Sequence, residues 1–213
     1  MIRCLVFVAA ISVAAVVPLG GTTPVFAQEA PAECASAVWL EPLAATPETD
    51  DTAGREITEP APAWMTTELT DACSGETFAL TDFVGKTVYI EAMATWCPPC
   101  RDQLARVKEA TAQIPEEERA EIVVVALSSE VDLPPETLAE YAAANDFPFI
   151  FAVMPAEMLQ SMADELGQEI AVPPATPHLI VTPDGAIGEI RTGSESSEDL
   201  LALFTETRQA ATP

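Results

Sequence analysis

The chain has 213 residues, with 9 basic side chains against 34 acidic ones and a formal charge of −25. A charge this negative argues against nucleic acid or an anionic membrane surface as partner and reads as a solubility device. The length suits one domain plus a leader and a tail, and no internal repeat is present.

Residues 1–27 read as a secretory signal peptide. Arg3 gives a positive start, Leu5 to Val17 is apolar apart from Ser12, and Val25-Phe26-Ala27 offers a small-residue cleavage site. The 13-residue run is short for a bilayer span, which needs about 20 residues. The alternative is an uncleaved N-terminal anchor. No Leu-x-x-Cys lipobox stands near the cleavage region. Cleavage would remove Cys4 and leave four cysteines, an even number in an exported protein. Residues 28–60 are rich in Ala, Pro, Glu and Thr and read as an acidic tail or linker, interrupted by Cys34 and Val38-Trp39-Leu40.

A globular pattern runs over residues 61–213. Trp64 to Leu69 and Thr77 to Leu80, around Ser74-Gly75, suggest a β-hairpin. Thr87 to Ala94 reads as a strand, and residues 98 to about 113 as a helix closed by Pro115. Glu121 to Leu127 reads as a continuous β-branched run, as expected of a strand buried on both faces. Pro135 to Asn145 has helical spacing, Phe149 to Val153 reads as a strand, and Pro155 to Leu166 as a helix. His178 to Val181 and Ala186 to Arg191 flank Pro183-Asp184-Gly185 as an antiparallel pair. Ser197 to Gln209 is a closing helix. The fold class is α/β: a mixed central sheet with helices on both faces and an N-terminal β-hairpin extension.

Trp96-Cys97-Pro98-Pro99-Cys100 carries the chemistry. It places two cysteines where a strand gives way to a helix. The thiolate is the nucleophile of disulfide exchange. Unpaired N–H groups and the partial positive charge of a helix N-terminus stabilise it. The prolines cost little there, because first-turn N–H groups lack intrahelical partners. A zinc ribbon would need a second Cys-x-x-Cys or a Cys/His pair, and the sequence holds neither. An inert structural disulfide is the other alternative.

These motifs resemble the thioredoxin superfamily, and within it the exported TlpA/ResA-like thiol–disulfide oxidoreductases. Four stretches carry the likeness: Leu80 to Lys86, Ala94 to Cys100, Ala175-Thr176-Pro177, and Ile180 to Gly185. The sequence departs from the family at Ala92 and Met93, where two aromatic residues are usual. The resemblance implies a thioredoxin fold with no cofactor and no metal. Cys97 is then the exposed attacking thiol and Cys100 the buried resolving thiol. Glu91, six residues before Cys97, occupies the place of a buried acid that takes the proton of the resolving cysteine. Strand alternation puts Glu91, Met93 and Thr95 on one side. Glu130 resembles an acidic residue kept near the site. Trp96 and the Thr176–Pro177 loop are the substrate-binding candidates, with a cis bond implied at Pro177. Alternation points His178 away from Pro177 and makes it structural.

Cys34 and Cys73 are expected to pair as a structural disulfide, with two free thiols or a second redox pair as alternatives. The functional expectation is a periplasmic, monomeric oxidoreductase. It would exchange the Cys97–Cys100 pair with protein disulfide clients and an upstream thiol donor, more as reductant than oxidant. Cytochrome c maturation and metal-site assembly clients are what the resemblance implies. The alternative is a copper chaperone holding Cu(I) on Cys97 and Cys100, since thiolates are soft ligands. A peroxidase fits less well, because its peroxidatic cysteine is placed differently.

Overall fold

The computed structural model of the chain describes Cys34 and residues 61–210. The expected signal peptide and most of the acidic linker lie outside the described residues. A short helix α1 (Ala63–Thr66) opens the described domain, followed by β1 (Leu69–Thr70) and β2 (Thr77–Phe78). β1 and β2 pair antiparallel. The expected hairpin is present but shorter, because Trp64 to Thr66 wind into a helical turn. Trp64 is buried there, and its indole N–H donates to Glu165 at 2.8 Å.

The central sheet contains β3 (Thr87–Met93), β4 (Ile122–Ser128), β5 (Ile150–Val153) and β6 (His178–Val181), in the order β5-β4-β3-β6. β3, β4 and β5 run parallel, and β6 is antiparallel to β3. Every residue of β3, β4 and β6 is buried. Helices cover both faces, so these strands are apolar along most of their length, with Thr87, Glu91, Ser128 and His178 as buried polar exceptions. The helices are α2 (Pro98–Ala112), α3 (Glu116–Arg119), α4 (Pro135–Ala144), α5 (Ala156–Leu166) and α6 (Ser197–Ala210).

Two apolar clusters lie on opposite faces. Val88, Ile90 and Ala92 of β3 pack with Trp64, Phe83, Met158 and Met162. Tyr89 and Met93 pack with Cys97, Cys100, Leu104, Leu138 and Phe204. The residue parity of β3 thus decides which side chains meet the cysteines.

Residues 186–191 pair with β6 through isolated bridges, His178 with Arg191 and Val181 with Ile187, so the expected second strand is a looser ladder. Gly188 makes the approach feasible: a Cβ there would meet the Ile180 carbonyl oxygen at 2.9 Å. At the other edge, β5 is covered by a side chain. The buried Asp71 carboxylate accepts the Phe151 N–H at 3.1 Å, while the Ala72 N–H donates to the Phe151 carbonyl at 2.7 Å. The same carboxylate accepts the Ser74 N–H and hydroxyl, both at 2.8 Å.

Asp71→Ala would leave the Phe151 N–H buried and unpaired. A loss of about 1–3 kcal/mol is expected in chemical denaturation, with an unchanged m-value. An unaltered midpoint would show that the edge is held by other contacts.

Candidate functional site

The Cys-x-x-Cys pair begins α2, as its sequence context predicts. Cys97 is the N-cap residue, Pro98 and Pro99 fill the first helical positions, and Cys97 and Cys100 are joined as a disulfide. The Cys100 N–H donates to Cys97 Sγ at 3.2 Å. That amide is one of the helix donors without an intrahelical partner, and after reduction it would favour the Cys97 thiolate. Cys100 Sγ lies 3.1 Å from the Pro173 carbonyl oxygen. In the disulfide the sulfur carries no proton; in the dithiol it can donate one there.

Cys97 is not exposed, contrary to its expected role as the accessible thiol. It is 1% exposed, while the neighbouring Trp96 is 61% exposed. Its sulfur turns back over the first helical turn toward Cys100, which draws it into the cluster beneath α2. Trp96 is the large apolar side chain presented to solvent beside the disulfide.

Glu91 is fully buried in β3. It shares the parity of Tyr89 and Met93, the face that packs on the two cysteines. Its Oε2 accepts the Tyr89 hydroxyl at 3.1 Å, and its Oε1 has no hydrogen-bond partner among the described residues. Burial pushes the Glu91 carboxyl well above its ordinary value, and the Tyr89 hydrogen bond works against that rise.

Four residues that the sequence reading did not assign to the site complete this layer: Tyr89, Gln103, Glu195 and Arg191. Gln103, also buried, reaches Tyr89 Oη with Nε2 at 3.4 Å and accepts the Glu195 N–H on Oε1 at 3.0 Å. His178 stands directly opposite Glu91 across the strand pair and stacks on Tyr89 at 5.5 Å. Its Nδ1 donates to the Thr176 carbonyl at 2.8 Å, and its Nε2 faces Glu195 Oε2 at 3.4 Å. Glu195 Oε1 pairs with Arg191 Nη2 at 2.5 Å. Two sequence signals point to this layer: Tyr89 stands two strand positions before Glu91, and Gln103 stands one helical turn after Cys100.

Glu130 comes to the site as a brace. Its Oε2 accepts both the Thr95 N–H at 2.6 Å and the Thr95 hydroxyl at 2.9 Å. This holds the turn two residues before Cys97. Thr95 lies beyond the end of β3, so it does not continue the Glu91–Met93 face.

The loop at Thr176–Pro177 lies beside α2, as expected, but the expected cis bond is a correction: no peptide bond among the described residues is cis. Thr176 instead adopts the left-handed region, φ 48° and ψ 54°, and this turns the chain with a trans bond. Its backbone is occupied internally, with the N–H on the Pro173 carbonyl at 2.7 Å and the carbonyl on His178. Cys34 and Cys73 are bonded to each other across 39 positions. They pack against the same apolar cluster as Cys97 and Cys100, and Cys34 Sγ lies 3.5 Å from the Ala139 carbonyl oxygen of α4. Among the described residues no group of three or more His, Cys, Asp or Glu side chains is placed to hold a metal ion.

Comparison with known proteins agrees with this geometry. The Redoxin family model matches residues 53–199. No curated protein sequence matches the chain. Among solved structures, a thiol:disulfide interchange protein of the thioredoxin family from Chlorobium tepidum TLS superposes with a TM-score of 0.54 at 16% identity, covering 70% of this chain and 97% of that one. A secreted Mycobacterium tuberculosis disulfide oxidoreductase homologous to E. coli DsbE gives 0.53 at 13% identity, covering 68% and 99%. Arabidopsis thaliana ScoI with copper bound gives 0.52 at 18% identity, covering 67% and 96%. At these identities the likeness shows a shared thioredoxin-like fold.

The raised Glu91 pKa makes stability depend on pH. The folded state holds this proton above pH 4.5, where the unfolded carboxyl has lost it. Folding stability contributed by this group therefore falls as pH rises from that value toward the folded pKa, by about 1.4 kcal/mol per unit. Glu91→Gln cannot ionise. Its stability relative to the parent should grow between pH 4.5 and 8 in denaturant titrations of the oxidised protein. A constant difference would mean that the carboxyl is not desolvated.

Proposed function

The chain belongs to the Redoxin family and is a thiol–disulfide oxidoreductase of thioredoxin fold; we propose that it works outside the cytoplasm as a reductant of particular protein disulfides. The observation that carries this reading is a Cys97–Cys100 disulfide at the start of α2, packed on Tyr89 and Met93 of β3, the strand whose buried Glu91 has one carboxylate oxygen without a hydrogen-bond partner among the described residues. The export part rests on residues 1–27, and the client class, cytochrome c maturation or metal-site assembly, rests on the sequence resemblance.

In the working direction, the reduced protein presents the Cys97 thiolate, favoured by the Cys100 amide and the helix N-terminus. It attacks a client disulfide, forms the Cys97–client bond and expels one client thiolate. Cys100 then loses its proton to Glu91 and attacks Cys97 Sγ. The Cys97–Cys100 bond forms and the second client thiolate leaves. Two electrons pass to the client, and an upstream dithiol returns them. Burial of Cys97 requires the surface around Trp96 to open as the client docks, and the exposed indole offers that client an apolar contact. A client strand pairing with the Thr176 N–H would have to displace the Pro173 carbonyl. Copper carriage would use the same two sulfurs, with which no His, Cys, Asp or Glu among the described residues completes a group of three; the Cys97–Cys100 bond favours disulfide exchange. The proposed working unit is a monomer.

A Cys100→Ser variant should accumulate mixed disulfides with clients, and a Cys97→Ser variant few; non-reducing electrophoresis with mass spectrometry reads both. The reverse pattern would exchange the two roles. Equilibration with glutathione should place a reductant at or below roughly −200 mV, whereas a value near −120 mV would make the protein an oxidant.

A further inference from the structure

The buried polar layer beneath the disulfide has a direction. Gln103 Oε1 accepts the backbone N–H of Glu195 at 3.0 Å, which fixes the orientation of the amide. Its Nε2 must therefore point at Tyr89 Oη, 3.4 Å away. Nε2 is a donor only, so the phenol oxygen accepts there and its own proton goes to Glu91 Oε2 at 3.1 Å. Every donor in the row from Glu195 to Glu91 thus points toward the carboxylate. Tyr89, Gln103 and Glu91 are all fully buried, so no solvent competes for these bonds. The row ties together β3, the helix that carries both cysteines and the segment before α6.

We infer that Tyr89, oriented by Gln103, is the positioning residue that sets the proton affinity of Glu91 and leaves Oε1 free for the Cys100 thiol. This rests on the reading of Glu91 as the acceptor of the Cys100 proton. Oε2 already accepts the phenol proton, whereas Oε1 has no partner among the described residues and is the oxygen better placed to take that proton. Donation to the charged carboxylate favours its ionised form and opposes the rise that burial imposes. The phenol can serve throughout, because burial and the adjacent Glu91 hold its own pKa well above 10. Other groups near Glu91 are named by the packing. His178 lies opposite on β6 with its Nδ1 committed to Thr176, and Tyr141 of α4, whose buried hydroxyl has no partner among the described residues, feels the Glu91 charge. Glu195 is held by Arg191 and faces His178.

The step that reports on this is resolution. Cys100 Sγ–H gives its proton to Glu91 Oε1, the Cys100–Cys97 bond forms, the Cys97–client bond breaks, and the leaving thiolate takes a proton from solvent. An aromatic disulfide that releases a coloured thiolate separates the two stages. Attack by Cys97 on the probe releases the first equivalent, and resolution by Cys100 releases the second. In the parent the second stage should rise with pH along a limb set by Glu91 ionisation. Tyr89→Phe keeps the ring that packs on Phe204 and His178 and removes only the donor. Its limb should move to higher pH, slowing resolution below the limb about tenfold or more, while the first stage changes little. Gln103→Leu should move the limb the same way by less.

In a Glu91→Gln background, Tyr89→Phe should add no further shift. If Glu91→Gln keeps the parental limb, the acceptor reading of Glu91 fails and this inference with it. If Glu91→Gln abolishes the limb but Tyr89→Phe and Gln103→Leu superpose on the parent, or move it to lower pH, the tuning role alone is overturned. Should Tyr89→Phe not fold, Gln103→Leu decides by the same profile.

Discussion

Glu91 is a carboxylate in a strand that has no face toward water. β3 is buried from end to end, with helices above and below it. A charged group there is costly unless donors reach it. That constraint gives purpose to polar residues in three other places: Tyr89 two positions back on the same strand, Gln103 on α2, and the backbone N–H of Glu195 before α6. Burial pushes the carboxyl well above its ordinary range, and the Tyr89 bond opposes that rise. A group poised in this way can exchange a proton with a thiol, whereas a solvated glutamate would stay charged throughout.

The two sulfurs inherit different surroundings from one helix turn. Cys97 caps α2 and receives an amide, while Cys100 looks toward the Pro173 carbonyl. An N–H near one sulfur favours a thiolate, and a carbonyl oxygen near the other favours a protonated thiol. The asymmetry between the surroundings of the two sulfurs therefore comes from the backbone, and in the proposed cycle the buried carboxylate serves only the second.

Around this centre the loops are fastened individually. Glu130 holds Thr95, His178 holds Thr176, and Asp71 closes the exposed side of β5. Each fastening uses one buried or half-buried polar side chain to satisfy backbone groups that the sheet leaves unpaired. The left-handed Thr176 with a trans Pro177 is part of the same economy: its N–H and carbonyl both find partners inside the loop. The site is consequently closed in the disulfide state, with Trp96 as the exposed apolar side chain beside it.

The sequence alone determined the elements and the redox pair. Runs such as Ile122–Leu127 and Leu179–Val181 are apolar without interruption because both faces of the sheet are covered, and that signal is local. The helix start at Pro98 was equally legible, since two prolines tolerate only a first turn. The Glu91 position was readable from strand parity. What the sequence did not reveal are relations between residues far apart in the chain. Gln103 meets Glu195, Asp71 meets Phe151, and Glu130 meets Thr95, at separations of 92, 80 and 35 residues. None of these pairings carries a local pattern, because each side chain matches a backbone group that only the packed fold brings near. The backbone of Thr176 belongs to the same class. A Thr-Pro pair permits either isomer of the bond, and the choice was made by the contacts of the assembled loop. The tertiary structure also decided that Cys97 is covered, since exposure depends on what packs beside a residue and not on its own neighbours in the chain.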